Sequence, residues 1–144
     1  MTGTKVLIVE DHQLVSQGMV TMLSIDEGIE VVGAVASGEL AIETVRNQEV
    51  DVVLMDVNLG KGISGIQAAR KVKEIKPQTK VLMLTMYTDS QMVSDATLAG
   101  ADGYLSKGAS RETVLSSIQD VMAGRKVLDP AIRQRLYGDK KPGS

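Results

Sequence analysis

Four apolar runs in this chain each give way to residues that carry chemistry, and that pattern limits the possible folds more than any other feature. Val52-Val53-Leu54-Met55 is closed by Asp56, and Lys5-Val6-Leu7-Ile8-Val9 by Glu10 and Asp11. Val81-Leu82-Met83-Leu84 is closed by Thr85, and the short run Gly103-Tyr104-Leu105 is followed by Lys107. Apolar runs without alternation are the mark of strands buried on both faces, as in a parallel sheet covered by helices. Sheets of that kind place their ligand crevice at the carboxyl ends of the strands. Three carboxylates, a hydroxyl and an ammonium are therefore expected along one edge of one sheet. That set can hold a divalent cation and a phosphoryl group.

The segments between the runs read as helices. Val15, Met19, Met22 and Leu23 fall at helical spacing after Asp11. Asp26-Glu27-Gly28 breaks the chain, 30–36 reads as a strand, and a helix over 38–48 turns Ile42 and Val45 inward. Ser64 is the expected N-cap of a helix that Pro77 stops. Asp89 or Ser90 caps the next helix, which ends at Gly100 and is the poorest of the five in large apolar residues. Ser110 caps the last, with Val114, Ile118, Val121 and Met122 inward and Gly124 at its end. Alternating βα units of this kind imply a parallel sheet, helices on both faces and right-handed crossovers.

The chain of 144 residues has room for one domain with a real core. Trp and Phe are absent, so Val, Ile, Leu, Ala and Met must fill that core. The net charge of −2 exerts no general pull on nucleic acid or anionic membrane. With no Cys there are neither disulfides nor thiolate sites, which suits a reducing cytosol. No stretch is long and apolar enough to span a bilayer, and no signal peptide precedes the first strand. Beyond about Gly124 the character changes. Asp129-Pro130 reads as an N-cap and first helical residue of a short helix over 131–136, and 138–144 reads as a polar linker or tail.

Carboxylates crowded on one edge repel unless a cation intervenes. A hard ion with oxygen ligands, Mg²⁺ above all, suits a site of few carboxylates, several waters and a phosphate oxygen. Asp11 and Asp56 would bind it directly, Glu10 through water or Asp11, and the Asn58 main-chain carbonyl could add a ligand. An aspartate can also act as a nucleophile and form an acyl phosphate. Lys107 would then supply a point charge to a phosphoryl oxygen, and Thr85 a hydrogen bond. Each residue has a plainer reading on its own. An Asp after a strand is a turn or cap residue, Glu-Asp complements a helix dipole, a Thr at a strand end reflects β-propensity, and a Lys there is solvated. Four such residues at the same end of four strands argue for a site. His12, beside the acid pair, reads as a capping or solvated residue.

Taken together, the motifs Val6-Leu7-Ile8-Val9-Glu10-Asp11-His12, Val53-Leu54-Met55-Asp56, Leu82-Met83-Leu84-Thr85 and Gly100-Ala101-Asp102-Gly103-Tyr104-Leu105-Ser106-Lys107 resemble a response-regulator receiver domain of the NarL/FixJ (LuxR-like) two-component family. The resemblance covers 5–125. It implies a flavodoxin-like (βα)5 doubly wound parallel sheet with strand order 2-1-3-4-5. It implies a receiver domain over 1–126, with 127–144 a linker helix and tail leading to a C-terminal helix-turn-helix domain outside this chain. It also implies roles: Asp56 as phosphoacceptor; Glu10, Asp11, Asp56 and the Asn58 carbonyl around Mg²⁺; Lys107 as the phosphate-contacting ammonium; Thr85 and Tyr104 as the switch pair. A lone Tyr on an edge strand also has a simple packing reading.

The chain departs from the family pattern in four places. Gly60 stands where relatives usually carry Pro, and the loop before Gly65 is one residue longer. Gly60, Lys61 and Gly62 are expected to loosen that loop and to weaken metal or phosphate affinity. Met86 follows Thr85 where many receivers have a small residue, and is expected to narrow access to Asp56. Gly108 follows Lys107 where many have Pro, and a cis peptide there would be costlier.

The implied function is a cytoplasmic, Mg²⁺-dependent switch, phosphorylated at Asp56 by a sensor histidine kinase. It would not be an enzyme beyond its own phosphoryl transfer and autodephosphorylation. Phosphorylation would favour a homodimer, DNA would be bound only through the C-terminal domain, and no membrane would be involved. The alternative is a receiver-like interaction module that phosphorylation does not regulate. An aspartate-nucleophile phosphatase would need an acid where Asn58 stands, and a flavin carrier a hydroxyl-rich loop where Glu10-Asp11-His12 stands.

Overall fold

The structure is a computed structural model, and it describes residues 3–86 and 99–128. Six strands form one parallel sheet: β1 Thr4–Val9, β2 Ile29–Val35, β3 Val52–Asp56, β4 Lys80–Thr85, β5 Gly103–Ser106 and β6 Val127–Leu128, in the order β2-β1-β3-β4-β5-β6. The described helices are α1 Gln13–Ser24, α2 Gly38–Asn47, α3 Gly65–Ile75 and α4 Arg111–Met122. The flavodoxin-like order expected for five strands is thus present, with β6 added beside β5. The helix expected from Asp89 or Ser90 to Gly100 lies outside the described residues as far as 98, and that over 131–136 lies outside them entirely; Gly100 itself is described and has a positive φ of 95°.

The central strands are apolar throughout because each feeds two cores. Leu7, Val9, Val53, Met55, Val81 and Met83 pack on one face with Ala41, Val45, Ala68, Ala69 and Val72 of α2 and α3. Their sequence neighbours Val6, Ile8, Val52, Leu54, Leu82 and Leu84 pack on the other face with Leu23 of α1 and Val114, Ile118 and Val121 of α4. Successive side chains of a strand point to opposite faces, so a strand covered on both sides cannot alternate with polar residues.

Two helical residues depart from the sequence reading. Val15 on α1 and Met122 on α4 are left about two fifths exposed, at 41% and 43%. Met122 is the last residue of its helix, at the margin of the stripe defined by Val114, Ile118 and Val121, where the sheet no longer covers it. Ser64 caps α3 as expected, in a capping box: it accepts from the Gln67 N–H at 3.1 Å, and Gln67 accepts from the Ser64 N–H at 2.9 Å. Ser110 caps α4 by accepting from the Thr113 N–H at 3.2 Å.

At the amino end of the sheet, Asp102 ties four elements together. It is buried, accepts the Val81 N–H at 2.8 Å and the Lys73 ammonium at 3.1 Å, and its carbonyl receives the Val127 N–H at 3.1 Å. Lys73, from α3, also donates to the carbonyls of Pro77 and Thr79. Burial alone would raise the Asp102 carboxyl, but the Val81 N–H and Lys73 outweigh it and hold it below the usual 3.8. A carboxylate depressed by folding stabilises the protein above its unfolded pKa and loses that contribution as pH falls through the folded value. Asp102→Ala should therefore cost about 3 kcal/mol at pH 7, because it leaves the Lys73 ammonium without its buried counter-charge. In denaturant titrations, the gap between wild type and variant should shrink below pH 3.8.

Candidate functional site

The strand registers bring the predicted residues to one edge. Val9 is level with Met55, Asp56 with Leu84, and Thr85 with Ser106. Glu10 and Asp11 therefore leave β1, Asp56 ends β3, Thr85 ends β4 and Lys107 leaves β5 at the same side of the sheet. The Lys107 N–H donates to the Thr85 carbonyl at 2.9 Å, which carries the β4–β5 pairing one residue past the strands. Among the described residues every peptide bond is trans, Lys107–Gly108 included.

Gly65 explains how α3 comes so close to this edge. A Cβ there would collide with the Asp56 carbonyl, and the Gly65 N–H donates to the Val57 carbonyl at 3.1 Å. Only a residue without a side chain lets the helix start beneath the end of β3.

The Lys107 ammonium is 2.8 Å from Asp56 Oδ2, to which it donates, and 2.8 Å from Glu10 Oε1. The second contact is an ion pair without the directionality of a hydrogen bond. The Asn58 N–H donates to Asp56 Oδ1 at 3.0 Å, a contact the sequence reading did not foresee. The His12 N–H donates to Glu10 Oε2 at 3.0 Å, and the His12 ring Nδ1 lies 3.1 Å from that oxygen and 3.2 Å from Asp11 Oδ1. His12 is the N-cap residue of α1, yet its side chain makes no cap hydrogen bond and instead sits against both acids. Thr85 and Tyr104 are buried, while Met86 stands exposed at 67%. Tyr104 is not on an edge strand, because Leu128 of β6 pairs with it.

The electrostatics separate the acids. Burial raises Glu10, but the Lys107 ammonium and the donors from His12 overcome it and bring the carboxyl down to about 2. Burial also raises Asp56, and here Lys107 and the Asn58 N–H do not overcome it; the nearby Glu10 charge adds to the rise. Lys107 is pushed down by burial and up, more strongly, by Asp56 and Glu10, so it stays protonated.

The donor set fits a hard divalent cation. Glu10, Asp11, His12 and Asp56 each offer one ligand atom within 4.8 Å of the others, and the three acids are all oxygen donors. Three carboxylates against one ammonium leave a formal double negative charge. Asp11 Oδ1 is buried and receives no hydrogen bond. Such a group is costly to leave unmatched, and a cation held by these acids could match it.

A profile of the response regulator receiver domain matches residues 6–119. The chain belongs to that family. It is 40% identical over 131 residues to the response regulator UvrY of Escherichia coli strain K12, covering 91% of this chain and 60% of that protein. It is 40% identical over 132 residues to the response regulator GacA of Pseudomonas aeruginosa, covering 92% and 61%. This chain thus spans about three fifths of the length of those relatives. A LuxR-family two-component response regulator from Aurantimonas sp. SI85-9A1 superposes with a TM-score of 0.86 at 29% identity, covering 92% of this chain and 94% of that one. The chain is a two-component receiver domain of the NarL/FixJ (LuxR-like) class. Among the described residues no helix is long and apolar enough to cross a membrane.

Because Asp56 is raised in the folded receiver, the fold disfavours its ionised form, and stability falls as pH rises through the folded value. Asp56→Asn should therefore raise the thermal midpoint of the metal-free protein at pH 7. Scanning calorimetry in EDTA should show the two proteins converging below pH 3.8.

Proposed function

We propose that this receiver is a phosphorylation switch in which Asp56 takes a phosphoryl group from the phosphohistidine of a sensor histidine kinase. The observation that carries the reading is the Lys107 ammonium, 2.8 Å from both Asp56 and Glu10, beside a carboxylate that burial has made more basic. An Asp56 oxygen attacks phosphorus in line, the P–N bond breaks, and the imidazole leaves with the electron pair. Lys107 exchanges a carboxylate contact for a phosphoryl oxygen, and Thr85 donates to another. Glu10, Asp11, Asp56 and the Asn58 carbonyl would hold Mg²⁺, which supplies charge neutralisation for the incoming phosphoryl group. Water attack on the same acyl phosphate accounts for autodephosphorylation, with the Asn58 side chain facing that water.

Thr85 moving towards the phosphoryl group frees space that Tyr104 fills, and the elements that follow both residues repack. The phosphoryl group acts only through its different contacts in two pre-existing states, a coupling of about 1–3 kcal/mol. In this reading the output is a homodimer of a cytoplasmic regulator, with 127–144 a linker helix and tail and DNA bound by a helix-turn-helix domain that lies beyond them. The long β3–α3 loop leaves Asp11 gathered with the other acids, which favours this reading over an unphosphorylated interaction module.

Incubated with Mg²⁺ and acetyl phosphate, the protein should gain the mass of one phosphoryl group, and Asp56→Asn should gain none. EDTA or Asp11→Ala should abolish the gain; a full gain in EDTA would remove the metal from the mechanism. Thr85→Ala and Lys107→Ala should still be phosphorylated yet fail to change oligomeric state, measured by light scattering. Normal dimerisation of either variant would contradict the switch.

A further inference from the structure

The loop between β3 and α3 does something that the family's usual proline cannot. The Gly60 N–H donates to Asp11 Oδ2 at 2.9 Å. Proline has no N–H to give. Gly60 is not among the glycines at positive φ, so backbone freedom is not what requires glycine there. Space is: a Cβ at this position would lie 2.7 Å from Asp11 Oδ2 and push the carboxylate aside. The remainder of the loop is also held. Ile63 donates its N–H to Glu39 Oε2 of α2 at 3.0 Å, and Leu59 is buried in the core. The looseness expected from Gly60, Lys61 and Gly62 is thus countered by two backbone-to-carboxylate hydrogen bonds.

The two oxygens of Asp11 are consequently in different situations. Oδ2 is tied to the loop, while Oδ1 is buried and receives no hydrogen bond, on a carboxylate that gathers with those of Glu10 and Asp56. The ring nitrogen of the mostly exposed His12 is 3.2 Å from it. We propose that Gly60 is a positioning residue for a divalent cation: its N–H anchors one Asp11 oxygen so that the other is presented to the ion. The orientation is set before the ion arrives, so binding does not have to immobilise the side chain. This inference rests on the phosphorylation reading of the site, and it makes cation affinity depend on a backbone amide in the inserted loop.

The test is Mg²⁺ binding by isothermal titration calorimetry on the 144-residue chain, with amide exchange by NMR as a second readout. Gly60→Pro removes the donor, and the Mg²⁺ dissociation constant should rise by about tenfold, as expected when a charged acceptor loses a directed hydrogen bond. Gly60→Ala keeps the N–H but sets a Cβ 2.7 Å from Asp11 Oδ2, so it should also weaken Mg²⁺ binding, by less than Gly60→Pro. In the metal-free wild type the Gly60 amide should exchange slowly, and Asp11→Ala should release it; this holds even if Gly60→Pro folds poorly. Equal or tighter Mg²⁺ binding by Gly60→Pro, or a Gly60 amide indifferent to Asp11→Ala, overturns the inference while leaving the receiver reading intact. A wild type that takes up neither Mg²⁺ nor a phosphoryl group overturns both.

Discussion

One ammonium makes the gathering of acids at the sheet edge possible. Lys107 sits between Asp56 and Glu10, 2.8 Å from each, where two buried carboxylates and a third close by would otherwise repel. It reaches them because β5 pairs with β4 in register and the Lys107 N–H continues that pairing onto Thr85. The parallel sheet thereby delivers side chains from four separate segments to one edge. The position of the charge is inherited from the backbone ladder rather than built by a flexible loop.

The same ammonium acts differently on the two acids it touches. Glu10 also receives donors from His12 and is held down to about 2, so it stays ionised under all ordinary conditions. Asp56 is raised despite its two donors, because burial weighs more on it. Separate environments thus give neighbouring carboxylates separate work, a permanent anion and a more basic oxygen. At the carboxyl edge ionised Asp56 costs stability while ionised Glu10 contributes it, and the amino edge carries a buried charge pair of its own. There Asp102, Lys73 and the carbonyls of Pro77 and Thr79 form a satisfied buried network that holds α3, β4, β5 and β6 together.

Much of this was legible in the residues. The unbroken apolar runs could only be strands fed into two cores, and strands of that kind end at a crevice. The Ser64 and Ser110 caps followed from side-chain chemistry local to each helix start. β6 was not legible: Val127-Leu128 is too short to carry a periodicity, and only its pairing with Gly103 and Tyr104 makes it a strand. The exposure of Val15 and Met122 was likewise hidden, since helical spacing defines a stripe but not where the sheet stops covering it.

The amino-acid sequence by itself determined which chemical groups would share the sheet edge, because alternating βα units make the strands parallel and the carboxyl-end rule then applies to each of them, whereas the strand order came from the family resemblance. It could not determine how those groups partner. His12 takes the N-cap position and stays mostly exposed as read, yet its ring also lies against two acids, and Gly60 reads as a loosened loop and instead donates to Asp11. Such contacts join residues that are far apart in sequence, as Gly60 and Asp11 are, or turn on a side-chain orientation that no local preference sets. Only the packed tertiary structure, which brings the β3–α3 loop over the end of β1, decides them.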